Sequence, residues 1–307
     1  MVRRHELTNA QWNYIAPLLP ETGRPGGRWA DHRTVVNRVL YRTRTGIPWR
    51  DLPERYGTWQ TVYERHRRWS ADGTWSRILR ALQAGADSTA PDGDGAWAVN
   101  VDSTTCRAHQ HAAGAKTRAP GRPPRKGGGT RVDEDGREAL GRSRGGLTSK
   151  VHLLADDRCR PLVWLTSPGQ RGDSPMFIPL MQALNVARTG AGRPRTRPDR
   201  ARGDKAYSSR ANRHYLRKRG IKATIAQPDD QRTNRRRHGR AGGRPPAFDR
   251  EQYRRRNTVE RTIGKLKQHR AVATRYDKRD YIFNGTLATA AIVIWLRDLI
   301  KEPSDTA

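Results

Sequence analysis

Five short runs of strand length and aliphatic content, at 97–102, 150–156, 161–166, 200–204 and 221–225, constrain the fold most. Helix-length segments follow them: 176–184, 208–219 with Gly220 as its stop, a stretch from Tyr253 to Lys267, and an almost wholly apolar one from Asn284 to Leu299. Strands alternating with helices predict an α/β fold, a mixed sheet flanked by helices. The tight connection at Asp157 and Arg158 predicts that the second and third strands pair as an antiparallel hairpin.

Ahead of the first strand the pattern is different. Residues 1–88 carry helical periodicity in four segments, starting at Leu7, Asp31, Thr58 and Thr74. In the third, Trp59, Val62, His66 and Trp69 form an inner stripe, whereas Gln60, Glu64, Arg65, Arg67 and Arg68 point away from it. Short helices around a basic third one suit a helix-turn-helix-like, all-α DNA-binding domain, with Arg65, Arg67 and Arg68 on phosphates. Residues 89–96 lie in an Ala-, Asp-, Gly- and Ser-rich stretch and predict a linker. The second domain is then 97–302, with Gly-, Pro- and Arg-rich insertions at 108–146 and 227–250. These read either as solvated loops or as clamps that a polyanion orders.

Charge narrows the partner. Lys and Arg number 61 against 30 Asp and Glu, for a net charge of +31. So much like charge repels itself unless a polyanion offsets it, and double-stranded DNA is the polyanion that fits. The amino terminus leads into no apolar run, and the longest apolar stretch, 287–296, is too short to cross a bilayer. No membrane role is expected, and the expected location is the cytoplasm, on the nucleoid. Two cysteines, Cys106 and Cys159, do not make a disulfide framework or a cysteine-rich zinc site.

Three acids stand where chemistry is expected. Asp102 and Asp204 close the first and fourth strands, and Glu260 lies in the spacing Y-x2-R-x3-E-x6-K formed by Tyr253, Arg256, Glu260 and Lys267. On one helix that spacing puts all four on a single stripe, next to an apolar stripe of Val259, Ile263 and Leu266. Three carboxylates brought together repel one another unless a hard cation such as Mg2+, or Mn2+ in its place, neutralises them. Taken singly, each has a structural explanation: an Asp at a strand end caps the next helix, and Arg256 with Glu260 is an i, i+4 ion pair. Lys205 either touches phosphate or pairs with an acid, Tyr207 is a core candidate, and His152 suits a supporting role better than ligation. Asp173 is read as a helix cap rather than an extra acid.

The segments Val101-Asp-Ser-Thr, Gly145-Gly-Leu-Thr-Ser-Lys-Val-His and Gly203-Asp-Lys-Ala-Tyr, with the Tyr253/Arg256/Glu260/Lys267 signature, resemble the DDE transposases of bacterial insertion sequences, in the insertion-sequence-five family. The resemblance implies a ribonuclease-H-like core with Asp102, Asp204 and Glu260 as a metal-binding catalytic triad. It also implies Mg2+-dependent cleavage and strand transfer at terminal inverted repeats, with Tyr253, Arg256 and Lys267 on the bound end and a homodimer or larger assembly on DNA. A silent or domesticated descendant, acting as a repressor or nuclease, is the alternative, and the intact triad favours the active form.

Overall fold

The computed structural model describes residues 5–21, 30–88, 97–114 and 138–300. The predicted linker at 89–96 and most of the 108–146 insertion lie outside the described residues. The amino-terminal region contains α1 (Asn9–Ile15), α2 (His32–Thr45), α3 (Trp59–Ala71) and α4 (Thr74–Ser88). Local chemistry sets their ends. Thr8 and Gln11 form a reciprocal capping box at α1, Asp31 caps α2 through the amide of Thr34, and left-handed Gly46 ends α2.

The second region holds β1 (Ala98–Ala108), α5 (Gln110–Ala113), β2 (Gly141–Ser143), β3 (Gly146–Ala155), β4 (Pro161–Pro168), α6 (Phe177–Ala183), β5 (Arg200–Gly203), α7 (Arg210–Lys218), β6 (Lys222–Ile225), α8 (Asp229–Arg237), α9 (Arg250–Arg254), α10 (Asn257–Lys267), α11 (Arg270–Ala273), β7 (Thr274–Arg275) and α12 (Asp280–Leu299). Its main strands lie in the order β4-β3-β1-β5-β6. The pairs β1–β3 and β3–β4 are antiparallel, and β1–β5 and β5–β6 are parallel. This mixed sheet, with helices packed against it, is the ribonuclease-H-like arrangement that the resemblance implies, and the predicted β3–β4 hairpin is part of it.

Four expectations need correction. The first strand does not stop at Asp102 but continues to Ala108, because residues Asn100 to Arg107 pair with β3. Only its parallel partner β5 ends near the acid: the last paired residue on β1 is Asn100. The signature is not one uninterrupted helix. It divides into α9 and α10 at Arg255 and Arg256, where Arg256 N donates to Tyr253 O (3.0 Å) and Val259 N to Arg256 O (3.0 Å). These i→i+3 bonds tighten the joint while Arg256 keeps helical dihedrals. The 227–250 insertion is not all loop, since it holds α8 and a 3-10 turn, Gly239–Gly242. The apolar carboxyl-terminal helix starts at Asp280, and its 20 residues are long and apolar enough to cross a membrane, contrary to the shorter run counted in the sequence. The protein itself covers it, with 72% of its most apolar window buried.

That covering comes largely from the amino-terminal region. α2, α3 and α4 all pack on α12. One core joins Val39, Trp69, Ile78 and Leu82 to Ala288, Ile292 and Trp295, and continues to Val99, Val101 and Phe177 under the sheet. Polar contacts cross the same seam: Arg42 pairs with Asp277 at 3.5 Å, both side chains buried, and Thr43 bonds Thr289 at 3.2 Å. A second cluster fills the other face of the sheet, where Cys106, Val151 and Leu153 meet Val259 and Leu266 of α10 and Phe283 and Leu287 of α12.

Candidate active site

Side chains alternate across β1, so neighbours reach opposite faces of the sheet. Asp102 faces α10, and Ser103 faces α6. α10 is held by its apolar side, with Val259 and Leu266 buried and Thr262 donating to Thr258 O at 2.7 Å. Its other side presents Glu260, which is half exposed.

Arg256, at the joint between α9 and α10, connects the acids. Its Nη1 lies 3.6 Å from Asp102 Oδ2, and its Nη2 lies 2.5 Å from Glu260 Oε1. The Tyr253 ring packs under the same guanidinium at 5.6 Å from its centroid. Asp204 follows β5 directly and uses one oxygen to accept from Ala206 N at 2.9 Å, capping the 3-10 turn Lys205–Tyr207. The capping role weighed for a strand-end Asp is therefore real, and it leaves the second carboxylate oxygen available. Asp102 senses both other acids. Burial, with the like charges of Asp204 and Glu260, pushes its pKa up to about 6, against the pull of the Ser103 amide and Arg256.

Among the described residues no three acidic, histidine or cysteine side chains converge closely enough to enclose a metal ion. The donors nevertheless suit Mg2+ or Mn2+. They are hard carboxylate oxygens, and two of them already share a cation, the Arg256 guanidinium. Mg2+ typically takes one or two protein carboxylates and completes its shell with water and substrate oxygens, so a partly open acidic set is what it needs.

The remaining predicted residues divide. Lys267 is half-buried on α10, close enough to Cys106 for its charge to act on that thiol, and Lys205 is exposed in the turn after Asp204. Gly264, on the same helix, has open space where a side chain would stand. Arg67 and Arg68 are exposed on α3, with Arg67 paired to Glu64 at 2.6 Å. Arg65 is the exception: it is buried, lies 5.3 Å from the Trp69 ring, and its Nη1 is 3.0 Å from His32 Nδ1. Helical phase alone gave the wrong direction, because the long Arg stem folds back over the indole. Tyr207 is in the core, as expected.

Asp173 stands at the N-cap position of the 3-10 turn Ser174–Met176 but does not cap it through its side chain. Its Oδ1 accepts from Ser103 Oγ (2.7 Å) and from Lys150 Nζ (3.1 Å). Ser103 N in turn donates to Asp102 Oδ1 at 2.8 Å. His152 sits beside this group, 3.7 Å from Asp173. Burial lowers its pKa to about 4, so it is neutral and makes no ion pair, and its Nε2 bonds Ser167 Oγ at 2.8 Å. Arg202 gave no signal in the sequence beyond its basic strand. It is buried, with Nη1 2.5 Å from Asp157 and Nη2 2.6 Å from Gln252, and so it fastens α9 beside Tyr253 to β5 and the β3–β4 turn.

Comparison with known proteins identifies the family. Residues 94–296 match the family model "Transposase DDE domain", and residues 7–79 match "Putative transposase of IS4/5 family". The protein y4sN of Sinorhizobium fredii is 38% identical over 121 residues, which is 39% of this chain and 90% of the relative. "Putative transposase for insertion sequence element IS402" of Burkholderia cepacia is 30% identical over 48% of this chain and 62% of its own length. The corresponding protein of element IS6501 from Brucella ovis is 29% identical over 49% of this chain and all of its own. The structure titled "Mos1 transposase paired-end complex with left transposon end" spans 90% of this chain and 81% of its own at 13% identity, but its TM-score of 0.24 is too low to carry weight. The domain model covers most of the sequence, including all three acids, and the chain belongs to the DDE transposases.

Proposed function

We propose that the chain binds the terminal inverted repeats of its own insertion sequence, cleaves DNA there, and joins the freed strand to target DNA. The observation that carries this reading is the convergence of Asp102 and Glu260 on one guanidinium, with Asp204 close enough to raise the pKa of Asp102. Asp102, Asp204 and Glu260 hold the metal. A bound Mg2+ or Mn2+ supplies Lewis-acid charge for phosphodiester hydrolysis and transesterification.

The protein's own groups position the DNA. Arg256 offers two donors on one plane, which match two phosphate oxygens, while Lys267 and Lys205 act as point charges along the backbone. Tyr253 supports the Arg256 plane from below. Arg67 and Arg68 present charge on the exposed face of α3; Arg65 is committed to Trp69 and is left out of the interface. Residues 1–88 supply recognition of the ends and 97–302 supply the chemistry. Assembly as a dimer or larger species on DNA, at the nucleoid, follows from the need to hold two ends together.

Asp102→Asn, Asp204→Asn and Glu260→Gln test the reading on a labelled element-end duplex, with and without Mg2+. Each is expected to lose at least about a hundredfold in cleavage, since metal polarisation contributes several kcal/mol, while end binding persists. Retained cleavage in any one of them removes that residue from the triad.

A further inference from the structure

The charge-rich segment between β6 and α9 is a built unit placed against the Asp204 turn. α8 buries none of its side chains, so packing of a core does not explain it. It is fixed instead by polar contacts. Gln231 receives a bond from Ser208 Oγ (3.0 Å) and donates to Ser208 O (2.6 Å), and Ser208 directly follows the 3-10 turn that begins after Asp204. One turn later, Arg235 Nη1 bonds Gln227 Oε1 at 2.5 Å. The chain then folds back: a Cβ at Gly242 would stand 2.1 Å from the Arg235 carbonyl oxygen, so only glycine lets the 3-10 turn Gly239–Gly242 close over the end of α8.

Gln231 and Arg235 take the inward side, and Arg236, Arg237, His238 and Arg240 are all exposed. Among the described residues, no carboxylate lies within ion-pair distance of Arg236, Arg237 or Arg240, whereas Arg232 is paired with Asp229. The helix dipole favours a cation in a last turn, but it does not account for Arg240 beyond the helix or for the glycine-closed turn that carries it. Lys205, in the turn to which α8 is pinned, and Arg210, which opens α7 shortly after it, are also exposed.

We infer that α8 and its following turn are a second DNA-binding surface, which holds the phosphate backbone of duplex DNA running past the Asp204 side of the active site. Arg236, Arg237 and Arg240 make the contacts. They add to the α10 cations a second set of charges, next to the turn that follows Asp204. This rests on the proposed DNA substrate and adds to it a surface and a path.

The test uses the full chain and a fluorescently labelled duplex of arbitrary sequence, with affinity measured by anisotropy over a range of salt. Replacing Arg236, Arg237 and Arg240 together by Gln is expected to weaken binding and to lower the slope of log affinity against log salt by roughly 2–3, near 0.9 for each lost phosphate contact. The same three replaced by Lys keep the affinity within a few-fold. An unchanged slope in the Gln variant overturns the assignment, and so does an equal loss in the Lys variant, because charge is then not the cause. Both native cysteines are buried, so a cysteine introduced at exposed His238 accepts a photo-crosslinker selectively. His238→Cys is expected to crosslink the duplex in preference to Thr189→Cys, placed in an exposed loop, and equal yields count against the surface. Wild type that fails to bind any duplex sinks the functional reading itself; wild type that binds, beside an unaffected Gln variant, sinks only the α8 surface.

Discussion

The Arg256 guanidinium lies 3.6 Å from Asp102 while its other nitrogen pairs with Glu260, so one side chain occupies the ground between two proposed metal ligands. On the proposed reading, Arg256 competes with a metal for these carboxylates when DNA is absent and turns to phosphate when DNA is bound. Arg256→Gln is expected to bind Mn2+ several-fold tighter than wild type in the absence of DNA, and to bind DNA more weakly. Titration by paramagnetic resonance checks the first. Unchanged Mn2+ affinity would show that the guanidinium does not compete.

Asp102 gives the metal-free protein a pH dependence. Its folded pKa is about 6, above the ordinary carboxylate value of 3.8. Between those values the folded state retains a proton that the unfolded chain has released, so stability falls as pH rises through the window and is lowest above it. Urea melts at about pH 4 and about pH 7 are expected to show this fall against the same melts of Asp102→Asn, which lacks it. Added Mg2+ is expected to restore stability at the higher pH. A wild-type difference identical to that of Asp102→Asn would place the titration elsewhere.

Asp173 anchors the Ser103 hydroxyl at 2.7 Å, and the main-chain amide of the same residue donates to Asp102 Oδ1 at 2.8 Å. Ser103→Ala and Asp173→Asn loosen that anchor without removing the amide donor, so they are expected to lower Mn2+ affinity by only a few-fold, less than the roughly 10–100-fold of a direct supporting partner, while the thermal midpoint moves little. Calorimetry of Mn2+ binding reads this directly. A large drop in melting temperature with normal metal affinity would make the pair merely structural.

Removal of residues 1–88 exposes the face of α12 that carries Ala288, Ile292 and Trp295, and strips Arg42 from buried Asp277. Each large apolar side chain that loses its cover forfeits about 1.5–3 kcal/mol, and a few of them equal a large share of ordinary domain stability. The fragment 97–307 is therefore expected to aggregate or to bind hydrophobic dyes rather than to fold as a free core. A monomeric fragment with a cooperative thermal transition would contradict this.

The sequence determined the local features of this protein. The Thr8 cap, the stops at Gly46 and Gly220, the five strand runs and the inner stripe of α10 depend on residues within a few positions of one another, and such short-range geometry is legible in a string of letters. It also supplied the three acids and the cations spaced around Glu260. Only the tertiary structure decided that Arg65 turns inward, that Asp173 serves Ser103 rather than a helix end, that Arg202 fastens α9, and that α8 lies against the Asp204 turn. It also decided that the amino-terminal helices share a core with α12. Those outcomes depend on partners far apart in the chain, such as Arg42 and Asp277, which the order of the strands and the burial of α12 bring together. A long charged side chain takes whatever partner that packing leaves within reach, and periodicity carries no information about it.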